Sequence, residues 1–174
     1  ADGTKLAAVT EGTYDGYIWA SSNSGVSWSV AFAHIEKWKE ITMSADGNKV
    51  AVVVWEGGHI WTTSGSWGEL YWGELHTTGA AKWWKSITMS ADGTKMAAVA
   101  FSGNIWTTSN SGASWTEVTT TGATKQWSDI TMSDDGTKLA AVAWNTNIWT
   151  SDDSGATWTE DTSINSTKFW KGIT

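Results

Sequence analysis

A phrase of about 44 residues recurs four times along the chain, and no other feature limits the accessible folds as strongly. Each copy contains an Asp-Gly pair, and the four pairs begin at Asp2, Asp46, Asp92 and Asp135, which gives offsets of 44, 46 and 43 residues. Periods of this length are typical of β units that stack or are arranged radially. We therefore predict one domain of repeated β units over residues 1–174.

Each copy predicts four short strands that pair antiparallel. An Ile-Thr-Met-Ser strand such as 41–44 precedes the Asp-Gly pair, and an apolar run such as 50–54 follows it. Asp-Gly between two apolar runs favours a hairpin, because its turn needs a positive φ. A third strand contains Ile60-Trp61 or its equivalent, and a fourth begins at a Trp after a small polar loop. Four such units predict an all-β propeller with four-stranded blades.

The polar loops of three copies carry a recognisable motif. They read Ser-Ser-Asn-Ser-Gly-Val-Ser-Trp at 21–28, Thr-Ser-Asn-Ser-Gly-Ala-Ser-Trp at 108–115 and Ser-Asp-Asp-Ser-Gly-Ala-Thr-Trp at 151–158. The motif resembles the Asp-box, or BNR repeat, of sialidase-like β-propellers, with Asn replacing Asp in two copies. The second repeat keeps Gly and Trp at 62–67 but is shorter and lacks the acid. The chain would be a non-enzymatic member or a fragment of that family.

The resemblance implies that these loops are folding elements on the face opposite the ligand site. Their Asp or Asn side chains would bond local backbone amides, and Gly would supply the unusual dihedral angle. The residues given this structural role are Ser21, Asn23, Gly25, Trp28, Thr108, Asn110, Gly112, Trp115, Ser151, Asp153, Gly155 and Trp158.

The two ends of the chain are complementary parts of one repeat. Joining residues 170–174 to residues 1–3 restores the repeat except for its Met-Ser pair. Propellers pair the last strand with the first in this way, which removes open sheet edges. We expect a monomer of four blades, one of them shared between the termini. The alternatives are a homodimer whose two chains complete an eight-bladed ring, and a designed or excised propeller fragment.

Most of the sixteen Trp residues recur at fixed repeat positions, as packing between blades requires. The exceptions are Trp55, Trp72, Trp83 and Trp144, which are more informative about function. The twelve recurrent residues, which we assign to the core, are Trp38, Trp84, Trp127, Trp170, Trp19, Trp61, Trp106, Trp149, Trp28, Trp67, Trp115 and Trp158.

One loop face gathers the candidate ligand-binding residues. Trp55, Phe101 and Trp144 share one repeat position after the second strand. The loops that enter the next blade add polar side chains, among them His34, Glu36, Glu69, Glu74, His76, Lys82, Lys125 and Lys168. Aromatic rings beside carboxylates and amides suit sugars, whose C–H faces stack while their hydroxyls form hydrogen bonds. We predict a lectin-like carbohydrate site that consists of Tyr14, Tyr17, Trp55, Glu56, Trp72, Phe101, Trp144 and Asn145.

The alternative function is that of a structural or assembly scaffold that binds a protein partner through the same face. Exposed apolar patches often mark partner surfaces. A repeated lectin would preserve its polar ligand set in every blade, whereas here only the aromatic residue recurs. Both a saccharide and a protein therefore stay open as partners.

The composition argues against several other functions. All eleven basic residues are Lys. Sialidases use an arginine triad, so we predict no sialidase activity and no bidentate anion recognition. A net charge of −7 disfavours nucleic acid and anionic membrane surfaces, and no apolar run is long enough for membrane insertion. We predict a non-enzymatic protein.

Cofactors and metals are also not expected. The chain has no Cys, and His34, His59 and His76 occupy unrelated repeat positions without a repeated ligand pattern. The sequence identifies no compartment, although an extracellular one is favoured. Asn165-Ser166-Thr167 would accept a glycan in a secreted protein.

Overall fold

The computed structural model describes residues 2–10, 16–64 and 71–174. The predicted residues Tyr14, Trp67 and Glu69 lie outside these ranges. Sixteen strands and no helix are found in the described ranges, so none of their segments is a helix that could cross a membrane. The strands are β1 (Leu6–Val9), β2 (Ile18–Ser21), β3 (Ser29–Phe32), β4 (Trp38–Met43), β5 (Val50–Val54), β6 (Ile60–Ser64), β7 (Tyr71–Leu75), β8 (Trp84–Met89), β9 (Met96–Gly103), β10 (Ile105–Thr108), β11 (Thr116–Val118), β12 (Lys125–Met132), β13 (Leu139–Thr146), β14 (Ile148–Ser151), β15 (Thr159–Asp161) and β16 (Lys168–Phe169).

The strands form antiparallel sheets that follow the sequence repeats. Repeat 1 gives the sheet β1-β2-β3, and repeat 2 gives β4-β5-β6-β7. Repeats 3 and 4 give the series β8 to β11 and β12 to β15, which a pairing between β9 and β12 joins into one sheet. The predicted all-β architecture of antiparallel sheets is therefore confirmed.

The Asp-Gly segments form the same turn in successive repeats. Asp46 accepts hydrogen bonds from the Ser44 hydroxyl at 2.6 Å and from the Asn48 amide at 2.9 Å. Gly47 has a φ of 70°, which few side chains tolerate. The same bonds hold the pKa values of Asp92 and Asp135 down at about 2. The aspartate thus fixes the turn that brings the first two strands of each repeat together.

Tryptophan side chains fill the space between neighbouring sheets. Trp84, Trp106 and Trp115 pack on Val53 and Ile60 of the preceding repeat, and the next junction is built in the same way. The Trp of the first strand meets the Trp of the third edge to face, at centroid distances of 5.9, 6.5 and 6.3 Å in repeats 2, 3 and 4. Such contacts supplement the burial of large apolar surfaces.

The predicted pairing of the C-terminal residues with β1 does not occur. Among the described residues, β1 pairs with β2 alone, and residues 170–174 form no strand. The outer side of repeat 1 is accordingly less covered, since Trp28 is 42% exposed whereas its counterparts Trp115 and Trp158 are 7% and 8% exposed. In the part of the chain that the structure describes, no strand pairing joins repeat 4 to repeat 1.

Candidate ligand-binding site

Four aromatic side chains from three repeats form a continuous line, which we call the aromatic strip: Trp83, Trp55, Phe101 and Trp144. The ring of Trp55 lies 5.2 Å from that of Trp83 and 6.0 Å from that of Phe101, and Phe101 lies 5.9 Å from Trp144, all edge to face. Trp83, Phe101 and Ser102 line a depression of about 320 Å³. Trp83 is also half exposed, which leaves part of the strip open to a ligand.

The backbone explains why these rings meet. The C-terminal ends of the second strands β9 and β13 pair with the segment that leads into the next repeat, as in Phe101 with Gln126 and Trp144 with Phe169. Gly58 with Lys82 gives the equivalent bridge between repeats 2 and 3. Each of these pairings brings the aromatic residue of one repeat close to the aromatic residue of the next.

Two lysines place their ammonium groups over the strip. Nζ of Lys85 lies 4.0 Å from the centroid of Trp55 and 5.3 Å from that of Phe101. Nζ of Lys171 lies 4.7 Å from the centroid of Trp144. A cation at this distance is attracted to the ring face. The strip therefore combines apolar rings with positive charge in a chain whose net charge is −7.

The polar residues predicted for this site serve the fold of their own loops. Glu56, Ser102 and Asn145 each follow the aromatic position and share a left-handed backbone, with φ values of 59°, 54° and 55°. Glu56 is ion-paired with Lys37, and Asn145 accepts a hydrogen bond of 3.2 Å from Thr167. The backbone conformation and these contacts explain the presence of Glu56 and Asn145, and no ligand is needed to explain them.

Other predicted residues lie apart from the strip. Trp72 stacks on Phe32 at 5.4 Å inside the core between repeats 1 and 2. Tyr17 is held through its backbone by Thr10. The structure thus brings together Trp55, Phe101 and Trp144 of the predicted set and leaves out Trp72 and Tyr17.

Sequence reasoning overlooked part of the strip. The sequence places Trp83 outside the repeat scheme without assigning it to the site, and it singles out neither Lys85 nor Lys171. Lys85 and Lys171 both follow the Trp of the first strand directly, so their shared repeat position was the available signal.

Two of the three lysines predicted on this face, Lys82 and Lys125, instead support loops. Nζ of Lys82 donates to the carbonyls of Thr78 and Ala80 and lies 4.6 Å from the ring centroid of Trp106. Lys125 makes the equivalent contacts, and burial lowers its pKa. These ammonium groups are satisfied within the fold.

The three motif loops share one set of hydrogen bonds. In the last loop, the Ser151 hydroxyl donates to Asp153 at 2.9 Å and accepts from the Gly155 amide at 2.9 Å, while the Thr157 amide donates to Asp153 at 2.8 Å. The loops at 21–28 and 108–115 repeat these bonds with Asn in the central position. The hydroxyl and amide hydrogens of Thr157 lower the pKa of Asp153 to about 2.

A network of two carboxylates and a hydroxyl connects the first strands of repeats 2, 3 and 4. Ser86 donates to Asp129 at 2.7 Å, and Glu40 accepts from the Ile87 amide at 3.2 Å. Burial raises the pKa of Glu40, a hydrogen bond from Ser86 opposes this, and the nearby Asp129 carboxylate raises it further. Both carboxylates thus accept backbone hydrogen bonds from the repeat that follows.

A second polar cluster lies where β6 begins and β7 ends in repeat 2, and it consists of His59, Glu74 and His76. Their ligand atoms all lie within 4.8 Å of one another. The three unrelated repeat positions of the histidines had predicted no such grouping, which arises because β6 and β7 pair antiparallel.

No protein-family model and no curated protein sequence matches the chain. Solved structures do match: the GH74 xyloglucanase from Xanthomonas campestris has a TM-score of 0.67 and 13% identity, over 89% of this chain and 27% of that one. YCF48 bound to D1 peptide gives a TM-score of 0.67 and 19% identity, over 93% of this chain and 51% of that one. A chain of the nidogen/laminin complex gives a TM-score of 0.73 and 9% identity, over 99% of this chain and 64% of that one.

These similarities establish the fold. GH74 xyloglucanase and YCF48 are β-propellers, and the sequence identities are too low to carry more than architecture. The chain spans less than two thirds of the length of each of these three structures.

Proposed function

We propose that the chain is a non-catalytic binding module that recognises an extended protein segment with apolar and acidic side chains. The observation that carries this proposal is the aromatic strip with its two lysines. Apolar side chains of a partner would pack against the exposed part of the strip at Trp83, and its carboxylates would pair with Lys85 and Lys171. Aromatic residues are enriched in the buried centres of protein interfaces.

The covering of the ring faces favours a protein over a sugar. A sugar ring stacks flat on an aromatic face, but Lys85 lies 4.0 Å above Trp55 and Lys171 lies 4.7 Å above Trp144. The edge-to-face contacts of Phe101 with Trp55 and Trp144 restrict access further. YCF48, whose fold is similar, binds a D1 peptide, and this supports a protein partner here.

Lectin-like carbohydrate recognition is the second candidate. Trp83 is 49% exposed and borders the depression of about 320 Å³, so one indole face is accessible for stacking. Xyloglucanases of similar fold act on a polysaccharide by name. This candidate places the sugar on Trp83 rather than along the whole predicted set of residues.

A titration with three probes separates the two candidates. The probes are a fluorescein-labelled twelve-residue peptide of alternating Glu and Phe, the same peptide with Gln in place of Glu, and a xyloglucan heptasaccharide. We expect saturable anisotropy changes with the acidic peptide and binding at least about tenfold weaker with the Gln peptide, since one lost charge pair at a partly desolvated site can cost that much. Binding of the heptasaccharide alone would support the lectin-like candidate.

Two variants of the strip and one control test the location. Trp83→Ala and Lys85→Gln should each weaken the acidic peptide. Tyr71→Ala should not, because Tyr71 is an exposed aromatic residue that is not among the four of the strip. Equal losses in all three variants would contradict a specific site on the strip.

We also propose that the chain is not a glycosidase, because backbone hydrogen bonds occupy its closely placed carboxylates. A glycosidase needs two carboxylates free to act across a sugar. Glu40 and Asp129 are the closely placed acids of the first strands, and backbone amides of the next repeat occupy both. Assays on xyloglucan should therefore detect no hydrolysis.

We also propose that the loops at 21–28, 108–115 and 151–158 are Asp-boxes.

A further part of the proposal is that the four repeats are four blades whose open ends are covered by a second chain. In repeat 2, Trp38 pairs with Val54 and Ile41 with Val52. The same register would place Trp170 and Ile173 of one chain beside residues 7–10 of another, which completes an eight-bladed homodimer. Light scattering should give twice the mass of the chain, and a monomer mass would favour closure within one chain.

A further inference from the structure

The pairing of β6 with β7 creates a group of metal-ligand side chains. Ile60 lies opposite Leu75 and Trp61 opposite Glu74, so His59 faces His76 across the two strands. Side chains two positions apart point to the same face of a strand, which puts Glu74 beside His76. Two imidazoles and one carboxylate therefore project from one face where β6 begins and β7 ends.

The distances within this group are close to those of a bound metal. The His59 and His76 rings have centroids 4.6 Å apart, and Nε2 of His76 lies 3.6 Å from Oε2 of Glu74. The ligand atoms of all three residues span at most 4.8 Å. Ligands on a tetrahedral zinc ion lie about 3.3 Å apart, given metal–ligand bonds of about 2.0–2.1 Å. Rotations of the exposed His76 and Glu74 side chains supply the remaining movement.

The position of His59 gives a second indication. Its Nδ1 atom is shut off from solvent and has no hydrogen-bond partner among the described residues. A buried polar atom of this kind is usually satisfied by a partner, and a metal-bound imidazole needs one nitrogen free of other contacts. No competing hydrogen bond within the described chain holds that nitrogen.

We propose that His59, Glu74 and His76 bind one Zn²⁺ ion. Two imidazole nitrogens and one carboxylate oxygen form the three-ligand set of open zinc sites, in which water takes the fourth position. Ca²⁺ and Mg²⁺ prefer all-oxygen ligands, so the two imidazoles select against them. The ion would cross-link β6 and β7, the last two strands of repeat 2.

Isothermal titration of the chelator-treated, untagged chain with ZnCl₂ tests the proposal. We expect one ion per chain, and at least about a tenfold weaker affinity in His76→Gln and in Glu74→Gln, since even outer-shell losses cost about 10–100-fold. Both substituted residues are exposed, so the variants should fold. The matched control is His34→Gln, because His34 also lies 3.6 Å from a carboxylate, that of Glu36, but has no second imidazole close enough to form a three-ligand group among the described residues.

Thermal unfolding gives a readout that is independent of the titration. Zn²⁺ should raise the unfolding temperature of the wild type and of His34→Gln but not that of His76→Gln, because only a ligand of the folded state stabilises it. The proposal is overturned if the wild type shows no saturable binding, if His76→Gln binds as tightly as the wild type, or if His34→Gln loses the same affinity.

Discussion

The backbone amide of Ile173 donates a hydrogen bond of 2.8 Å to Oδ2 of Asp129, 44 positions earlier in the chain. The Ile87 amide makes the corresponding bond to Glu40 at 3.2 Å. One side chain of each of these two first strands thus accepts a hydrogen bond from the equivalent segment of the next repeat, 44 or 47 residues further on, which is close to the repeat length. The repeats are therefore joined by partly buried polar contacts as well as by tryptophan packing.

Asp129→Ala should lower the free energy of unfolding by about 2–4 kcal/mol. Asp129 accepts hydrogen bonds from Ser86, from the Ile130 amide and from the Ile173 amide. A hydrogen bond to a charged acceptor contributes about 1.5–3 kcal/mol, and bonds that share one acceptor contribute less than their sum. Urea unfolding measures the change. Asp134→Ala is the control, since Asp134 is exposed and its contact to Ala91 uses its backbone carbonyl.

The comparison of Trp158 with Trp28 tests the packing of the repeats. Trp158→Ala should cost about 3–5 kcal/mol, because a large buried side chain is removed. Trp28→Ala should cost about 1 kcal/mol in the single chain, because the Trp28 side chain is already about half exposed there.

The same pair of variants tests whether repeat 1 is covered by a second chain. At high protein concentration, Trp28→Ala should reduce the dimer fraction measured by sedimentation. Trp158→Ala should instead reduce the fraction of folded protein. An unchanged dimer fraction in Trp28→Ala would place the contact elsewhere.

The repeat-derived features of the fold were predictable from the sequence. The Asp-Gly pairs, the Ala and Val runs and the Ile-Trp pairs recur at constant spacing, so antiparallel pairing within a repeat and burial of residues such as Trp84 and Trp127 followed from local chemistry. The shared hydrogen bonds of Ser151 and Asp153 follow from the same regularity. Each of these features depends on contacts inside one repeat or between equivalent positions.

The candidate sites were less predictable because they depend on contacts between unlike positions. Trp83 meets Trp55 only through the bridge between neighbouring repeats, which no single repeat encodes. His59 meets His76 because of the register of two strands whose connecting residues differ from those of the other copies. Trp72 shows the converse, since its place outside the repeat scheme suggested a ligand role although it stacks on Phe32 in the core.

Glu40→Gln should leave the chain at least as stable as the wild type at pH 7. Burial raises the pKa of Glu40 from 4.5, so the folded state holds its proton longer than the unfolded state. The contribution of Glu40 to stability is therefore fully present below about pH 4.5 and declines as the pH rises through the raised pKa. Gln keeps an acceptor for the Ile87 amide without the charge.

Urea unfolding between pH 4 and 7 measures this difference. The loss of stability with rising pH should be smaller in Glu40→Gln than in the wild type. Glu117→Gln is the control, because Glu117 is exposed and accepts a hydrogen bond from Asn104 that Gln can also accept. A large destabilisation of Glu40→Gln at pH 7 would show that the ionised carboxylate stabilises the fold.

Asp135→Asn should reduce the sensitivity of the fold to acid. Hydrogen bonds from the Ser133 hydroxyl and from Thr137 lower the pKa of Asp135 to about 2, below the value of about 3.9 in an unfolded chain. Its contribution is therefore present above about pH 4 and is lost as the pH falls toward 2. Asn retains the acceptor oxygen but not the titration, so unfolding midpoints measured from pH 5 to 2 should fall less steeply. Asp134→Asn is the neighbouring control, and identical slopes in both variants would mean that the turn aspartate does not contribute to acid unfolding.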